Sequence, residues 1–107
     1  MVSNTYKFTE TAKIDLDNIL HYVSIKLCNF EAAKQLFEKV VETIDNICAF
    51  PESNPVINNE YLNRQDIRKV IINNYIMYYI FQKEVSNVLI LRIVYGKRNL
   101  EEILKDM

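Results

Sequence analysis

Glycine occurs once in these 107 residues, at Gly96, and proline twice, at Pro51 and Pro55. A chain so poor in both is neither a disordered segment nor a linker. There are two cysteines, Cys28 and Cys48, and a single histidine, His21. If residues 30–48 are helical, the cysteines lie roughly 27 Å apart at about 1.5 Å per residue. A disulfide tolerates no more than about 7 Å between Cα atoms. Both therefore read as reduced thiols that pack as small hydrophobes. No ligand pair has the spacing of a zinc site, and neither a metal nor a cofactor is expected. His21 falls in the first predicted helix and reads as a helix residue without catalytic work. No apolar run approaches the ~20 residues of a membrane helix. The stretch Met1 to Lys7 lacks the apolar core of a signal peptide. The expectation is one cytoplasmic domain over residues 1–107, with no membrane partner.

What is present is apolar surface and an uneven charge. Half of the residues are hydrophobic, enough for one packed core at this length. The net charge of −1 conceals two unlike parts. Residues 1–60 hold five lysines and nine acids, a net of −4. Residues 61–107 hold four lysines, all four arginines and five acids, a net of +3. Arginine suits bidentate contact with carboxylate or phosphate, while the overall acidity argues against strong non-specific binding of nucleic acid.

Hydrophobic spacing sets the element order. Residues 4–8 alternate and suit a short strand. Thr9 can cap a helix whose apolar face is Ala12, Leu16, Ile19, Leu20, Val23 and Leu27, with Lys13, Asp15, Asp17 and Asn18 largely outside it. Asn29 can cap a second helix, with Ala33, Leu36, Phe37, Val40, Ile44, Ile47 and Cys48 facing inward. The short break at Cys28-Asn29 makes the two an antiparallel hairpin. Pro51 and the Ser53-Asn54-Pro55 cluster end the second helix, and an irregular loop runs to about Asp66. Strands follow at about 67–72, 75–82 and 88–95. Asn73-Asn74 makes the first turn, since asparagine tolerates positive φ, and Lys83 to Asn87 the second. Links this short make neighbouring strands antiparallel. Asn99 with Glu102 resembles a capping box for a short C-terminal helix ending near Lys105. The fold class is α+β, in the order β-α-α-β-β-β, with a helical hairpin packed on an antiparallel sheet. Both faces of the strands are apolar, so something besides the hairpin covers part of the second face, a partner chain being one candidate.

Alternation places Arg68 with Val70 and Ile72, and Lys69 on the opposite face. It places Arg92 with Ile90 and Val94, and Tyr95 with Leu91 and Ile93. Arg92, flanked by apolar residues, is open to two roles: an internal ion pair or a ligand contact. Tyr75 and Tyr79 share a face and Tyr78 does not, which gives Tyr79 a core role and leaves Tyr75 for an interface. Tyr95 either packs beside Gly96 or serves as an acid or base. Lys97 and Arg98 begin a loop. Gly96 reads as a strand end with unusual backbone angles.

This order and these residues together resemble the RelE/ParE superfamily of bacterial type II toxins. The resemblance begins at Tyr6, Thr9, Ala12, Asp15-Leu16, Ile19 and Tyr22. It continues through Ala33, Phe37, Ile44, Ile47 and Phe50-Pro51. It is strongest at Arg68-Lys69, Asn74-Tyr75, Tyr79, Leu91-Arg92-Ile93 and Gly96-Lys97-Arg98. It implies a growth-inhibiting toxin neutralised by a cognate antitoxin protein. RelE-like members cut mRNA in the ribosomal A site, whereas ParE-like members poison DNA gyrase. RNA-cleaving relatives carry basic residues along the second and third strands and an aromatic or histidine near the C-terminus. Here the strand positions around Val70, Ile71 and Ile76 are aliphatic, and the tail after Arg98 has neither. That tilts the expectation toward gyrase; the alternatives are a ribosome-dependent mRNA endoribonuclease and a degenerate member that only binds its antitoxin. The residues implied for target or antitoxin contact are Arg68, Lys69, Tyr75, Arg92, Lys97 and Arg98. Should the chain be a metal-independent RNase, Arg68, Tyr95 and Arg98 are its catalytic candidates.

Overall fold

The computed structural model describes residues 4–57 and 66–96. The elements are β1 (Thr5–Phe8), α1 (Glu10–His21), α2 (Phe30–Ala49), β2 (Ile67–Ile72), β3 (Tyr75–Gln82) and β4 (Asn87–Tyr95). A π-helical turn, Tyr22–Lys26, continues α1 toward α2. The expected order is present throughout. The C-terminal helix expected from Asn99 to Lys105 lies outside the described residues.

Each helix starts where its cap directs. The Ala12 N–H donates to Thr9 Oγ1 at 3.0 Å, and the Ala32 N–H donates to Asn29 Oδ1 at the same distance. Thr9 has a second task, because its hydroxyl donates to the Leu91 carbonyl of β4 at 2.9 Å. Thr9→Ala is therefore expected to destabilise the protein by about 1–2 kcal/mol, the upper range for a lost cap. Urea unfolding would show this as a lower midpoint with an unchanged slope. Between the helices Cys28 adopts a positive φ of 49°, which stops helical propagation.

The sheet order is β1-β4-β3-β2. β2, β3 and β4 are antiparallel as expected, but β1 runs parallel to β4. The sheet is thus mixed. β1 is separated from β4 by the whole of the rest of the fold, so no short turn dictates its direction. The Asn73 φ of 53° gives the β2–β3 turn its bend. Gly96 does not have a positive φ. Its constraint is space: a Cβ there would stand 3.2 Å from the Asn74 carbonyl oxygen, which the Gly96 N–H itself bonds at 2.8 Å.

The hairpin covers one face of the sheet. Val40, Ile44 and Ile47 of α2 bury against Ile72, Met77, Tyr79, Val88, Ile90 and Ile93, joined by Ala12 of α1. A second apolar cluster, Ile57, Ile67, Tyr78, Ile80 and Val94, is buried on the other face within the single chain. Two residues expected in the core are not there. Phe37 is 47% exposed and Leu27 is 56% exposed. The wider π turn shifts the helical phase before Leu27, while Phe37 lies on the flank of α2 that faces away from the sheet centre. Cys48 is buried, and burial pushes its thiol up; Cys28 is exposed.

Candidate functional site

Alternation along β4 fails at one point. Tyr78 pairs with Arg92 and Tyr79 with Ile90, so Leu91 is an extra residue in a β-bulge. The bulge turns Ile90 toward the helices and leaves Leu91 with the opposite cluster. The expected grouping of Arg92 with Ile90, and of Tyr95 with Leu91, is therefore replaced. Arg92 sits opposite Tyr78, and Tyr95 opposite Tyr75.

The bulge lies where β1 has ended and α1 takes its place along β4. There Asp15 meets the strand. Arg92 Nε donates to Asp15 Oδ2 at 2.8 Å, Nη2 donates to Oδ1 at 3.2 Å, and the Ile93 N–H donates to Oδ2 at 3.0 Å. The two side chains are 7% and 13% exposed. Of the two roles open to Arg92, the internal ion pair is the one in place. Asp15, read from sequence as outside the apolar face of α1, is the residue that alternation and helical spacing both missed. A carboxylate on a helix carries no mark of the strand edge it will cap.

Arg68, half-buried, is engaged by the loop after α2. Its Nη1 donates to the carbonyls of Asn54 at 2.6 Å and Glu52 at 3.2 Å. The opposite residue, Tyr79, donates its hydroxyl to the Pro51 carbonyl at 3.2 Å and accepts from Asn54 Nδ2 at 3.1 Å. Burial pushes the Tyr79 phenol up, offset in part by Asn54 and Arg68. Together these groups hold the loop after α2 onto the sheet, and Val56 bridges to Arg68 on the outer edge of β2. Lys69 points to the other face, and its side chain is exposed. Lys97 and Arg98 lie outside the described residues.

Tyr75 and Tyr95 meet at the end of the sheet, with ring centroids 6.0 Å apart at 60°. Burial pushes the Tyr75 phenol up, and the nearby Tyr22 and Tyr95 add to this. Sequence reasoning grouped neither tyrosine with Tyr22. No motif marks that neighbour, because only the helix-to-sheet packing delivers it.

A broad concavity lies elsewhere, between β1 and the two helices. It holds about 580 Å³ and is walled by Tyr6, Phe8, Leu16, Phe37 and Val41, with Lys7, Lys13 and Asp17 among its polar groups. The Tyr6 and Phe8 rings pack edge to face at 6.2 Å. Tyr6, Phe37 and Val41 are each about half exposed, and β1 is an edge strand. An apolar trough beside a sheet edge accepts an amphipathic peptide. Sequence reasoning did not find it: Phe37 reads as core, and Val41 was not placed on the apolar face of α2. Among the described residues no three His, Cys, Asp or Glu side chains gather to hold a metal. No described helix is long and apolar enough to cross a membrane.

Solved structures share this architecture. The toxin–antitoxin complex RelBE2 from Mycobacterium tuberculosis matches with a TM-score of 0.65 at 21% identity, over 88% of this chain and 99% of that one. The chromosomal ParDE system from P. aeruginosa gives 0.67 at 20% identity, over 89% and 98%. The isolated E. coli RelE toxin gives 0.57 at 18% identity, over 96% and 97%. No curated protein matches significantly. Two helices laid on a mixed four-stranded sheet in this order are the architecture that these RelE and ParE structures share with this chain. The sequence settles the class: the model of the ParE toxin of type II toxin–antitoxin systems, parDE, matches residues 6–100, so the chain belongs to the ParE toxin family of the RelE/ParE superfamily.

Proposed function

We propose that this protein arrests growth by binding DNA gyrase, without cutting mRNA, and that a cognate antitoxin neutralises it. The observation that carries the reading is the use made of two strand arginines. RNA cleavage without a metal needs a cation aimed at the crowded phosphate, beside groups that move protons. Arg68 is spent on loop carbonyls and Arg92 on Asp15. The intervening strand positions Val70, Ile71 and Ile76 are aliphatic. The ParE family match supports the same branch.

The antitoxin is expected to lay an amphipathic, acidic segment in the groove between β1 and the helices. Its apolar side would cover Phe37 and Val41, and its carboxylates would face Lys7 and Lys13. Such segments commonly order on binding.

The runner-up is a ribosome-dependent mRNA endoribonuclease. Its supporting observation is the half-exposed Tyr95, a proton-transfer group near the end of β4. Primer extension on cellular mRNA after brief induction of this protein alone separates the two. Growth arrest with intact mRNA is expected, together with loss of supercoiling by purified gyrase. New cuts inside translated codons would establish the nuclease instead.

A further inference from the structure

We propose that Asp17 selects the segment that docks in the groove, by requiring one basic residue in an otherwise acidic partner. This rests on the antitoxin reading above and deepens it. It states the charge pattern the antitoxin must carry and names the residue that reads it.

The walls of the groove are chemically unequal. α2 lines it with apolar side chains alone, Phe37, Val40, Val41 and Ile44. The charges come from β1, through Lys7, and from α1, through Lys13 and Asp17. Asp45 of α2 lies outside it, in the neighbouring depression beyond Tyr6. Among the described residues, Asp17 is thus the one acid that lines the groove.

These charges are not satisfied by the fold. Lys13 approaches Glu10 at 4.0 Å, and the two side chains are 61% and 83% exposed. A pair so open to water contributes little and exchanges partners readily. Asp17 and Lys7 take part in no hydrogen bond or ion pair among the described residues. Asp17 lies one turn beyond Lys13 on α1, but a lysine four residues before an acid is the weaker of the two helical orders. Lys13 turns back to Glu10 instead. Asp15 makes the contrast. It stands two positions earlier on the same helix, and its carboxylate is engaged by Arg92 and the Ile93 N–H. One acid of α1 locks the helix to β4, and the other is left free beside an apolar trough.

A chain docked in that trough displaces water from its walls. A free carboxylate at the wall then loses part of its hydration and needs a replacement. A uniformly acidic occupant would satisfy Lys7 and Lys13 and set a like charge against Asp17, which lowers affinity. A uniformly basic one would fail at both lysines. The occupant that fits all three is mostly acidic and carries one lysine or arginine. Its spacing follows from α1. Lys13 and Asp17 are four residues apart, a rise of about 6 Å at about 1.5 Å per residue. A helical partner matches this with an acid and a base three or four residues apart. An extended partner matches it with the two about two residues apart. The apolar walls alone would accept any amphipathic segment, so discrimination among them falls to Asp17.

The test measures binding of the full chain to the antitoxin encoded beside this gene, by titration calorimetry at low and high salt. Wild type, Asp17→Asn and Asp17→Lys are compared. Asp17 is exposed and belongs to neither apolar cluster, so an unchanged melting temperature is expected and verifies that each variant folds. We expect Asp17→Lys to weaken binding about tenfold or more and Asp17→Asn about threefold, with added salt narrowing the difference. Changing one lysine or arginine of the antitoxin to glutamate should restore binding to Asp17→Lys. Asp17→Lys binding within about twofold of wild type overturns the inference. Tighter binding overturns it as well, because an acid would then face this position. Phe37→Asp/Val41→Asp, measured alongside, separates the two readings. Loss in that variant with Asp17→Lys unaffected overturns the selection by Asp17 alone. No loss in either overturns docking in the groove and this inference with it.

Discussion

Asp15→Ala is expected to lower the unfolding free energy by about 3 kcal/mol, the lower bound for removing one partner of a buried ion pair. Three contacts disappear at once: two to the Arg92 guanidinium and one from the Ile93 N–H. What dominates the cost is what remains. Arg92 is 6% exposed, so its charge stays buried after losing the two bonds to this carboxylate. The Ile93 N–H also loses its acceptor at a strand edge that β1 does not reach. A domain of this size has only about 5–15 kcal/mol in total. The melting temperature should fall by about 10 °C or more.

A cycle with Arg92→Met identifies the mechanism. If the penalty comes from a buried charge that has lost this carboxylate, the double variant Asp15→Leu/Arg92→Met will be more stable than Asp15→Ala. If the double variant is as unstable as the sum of the singles, the two residues do not act as a pair. The salt dependence should be small, because screening reaches a pair this buried only weakly.

The second large effect concerns the groove. Phe37→Asp combined with Val41→Asp should weaken antitoxin binding by roughly 30- to 1,000-fold, corresponding to about 2–4 kcal/mol. In the free protein both sites are nearly half exposed, so the new carboxylates keep most of their water and the fold is largely spared. In the complex they would be stripped of water against an apolar face and would also repel an acidic segment. Growth arrest should persist, while co-expression of the antitoxin no longer relieves it. Titration calorimetry measures the affinity and the growth curve measures the consequence. Full rescue by the antitoxin with unchanged affinity would move its docking site off the groove.

These two sites differ in how far the sequence revealed them. The groove was partly legible. Phe37 reads on the apolar face of the second helix and residues 4–8 as an alternating strand, so two of the groove's walls were visible, though Val41 was not. What remained hidden was that the second helix carries more apolar width than the sheet covers. The Asp15–Arg92 pair was legible only at one end. Arg92 stood out as a charge among Ile, Leu and Val, and an internal ion pair was one of its two roles. Its partner is 77 positions away, on a helix where an aspartate looks like ordinary solvated surface. Arg68 was marked as a surface contact, yet its donors turn to the loop after α2. That choice depends on where the chain returns after Pro51, which no local pattern encodes.

The sequence by itself determined the element order, the helix starts at Thr9 and Asn29, the tight turn at Asn73 and the antiparallel trio β2–β3–β4. Those features arise from forces acting within a few residues: capping bonds, backbone sterics and the period of apolar side chains. Tertiary structure alone decided the parallel docking of β1, the bulge at Leu91, the capture of Arg92 by Asp15 and the meeting of Tyr75 with Tyr95. Each depends on which backbone edge or ring another element meets after a long detour of chain. A single inserted residue in β4 reverses the facing of its neighbours, and only the competition among packed partners fixes where it goes.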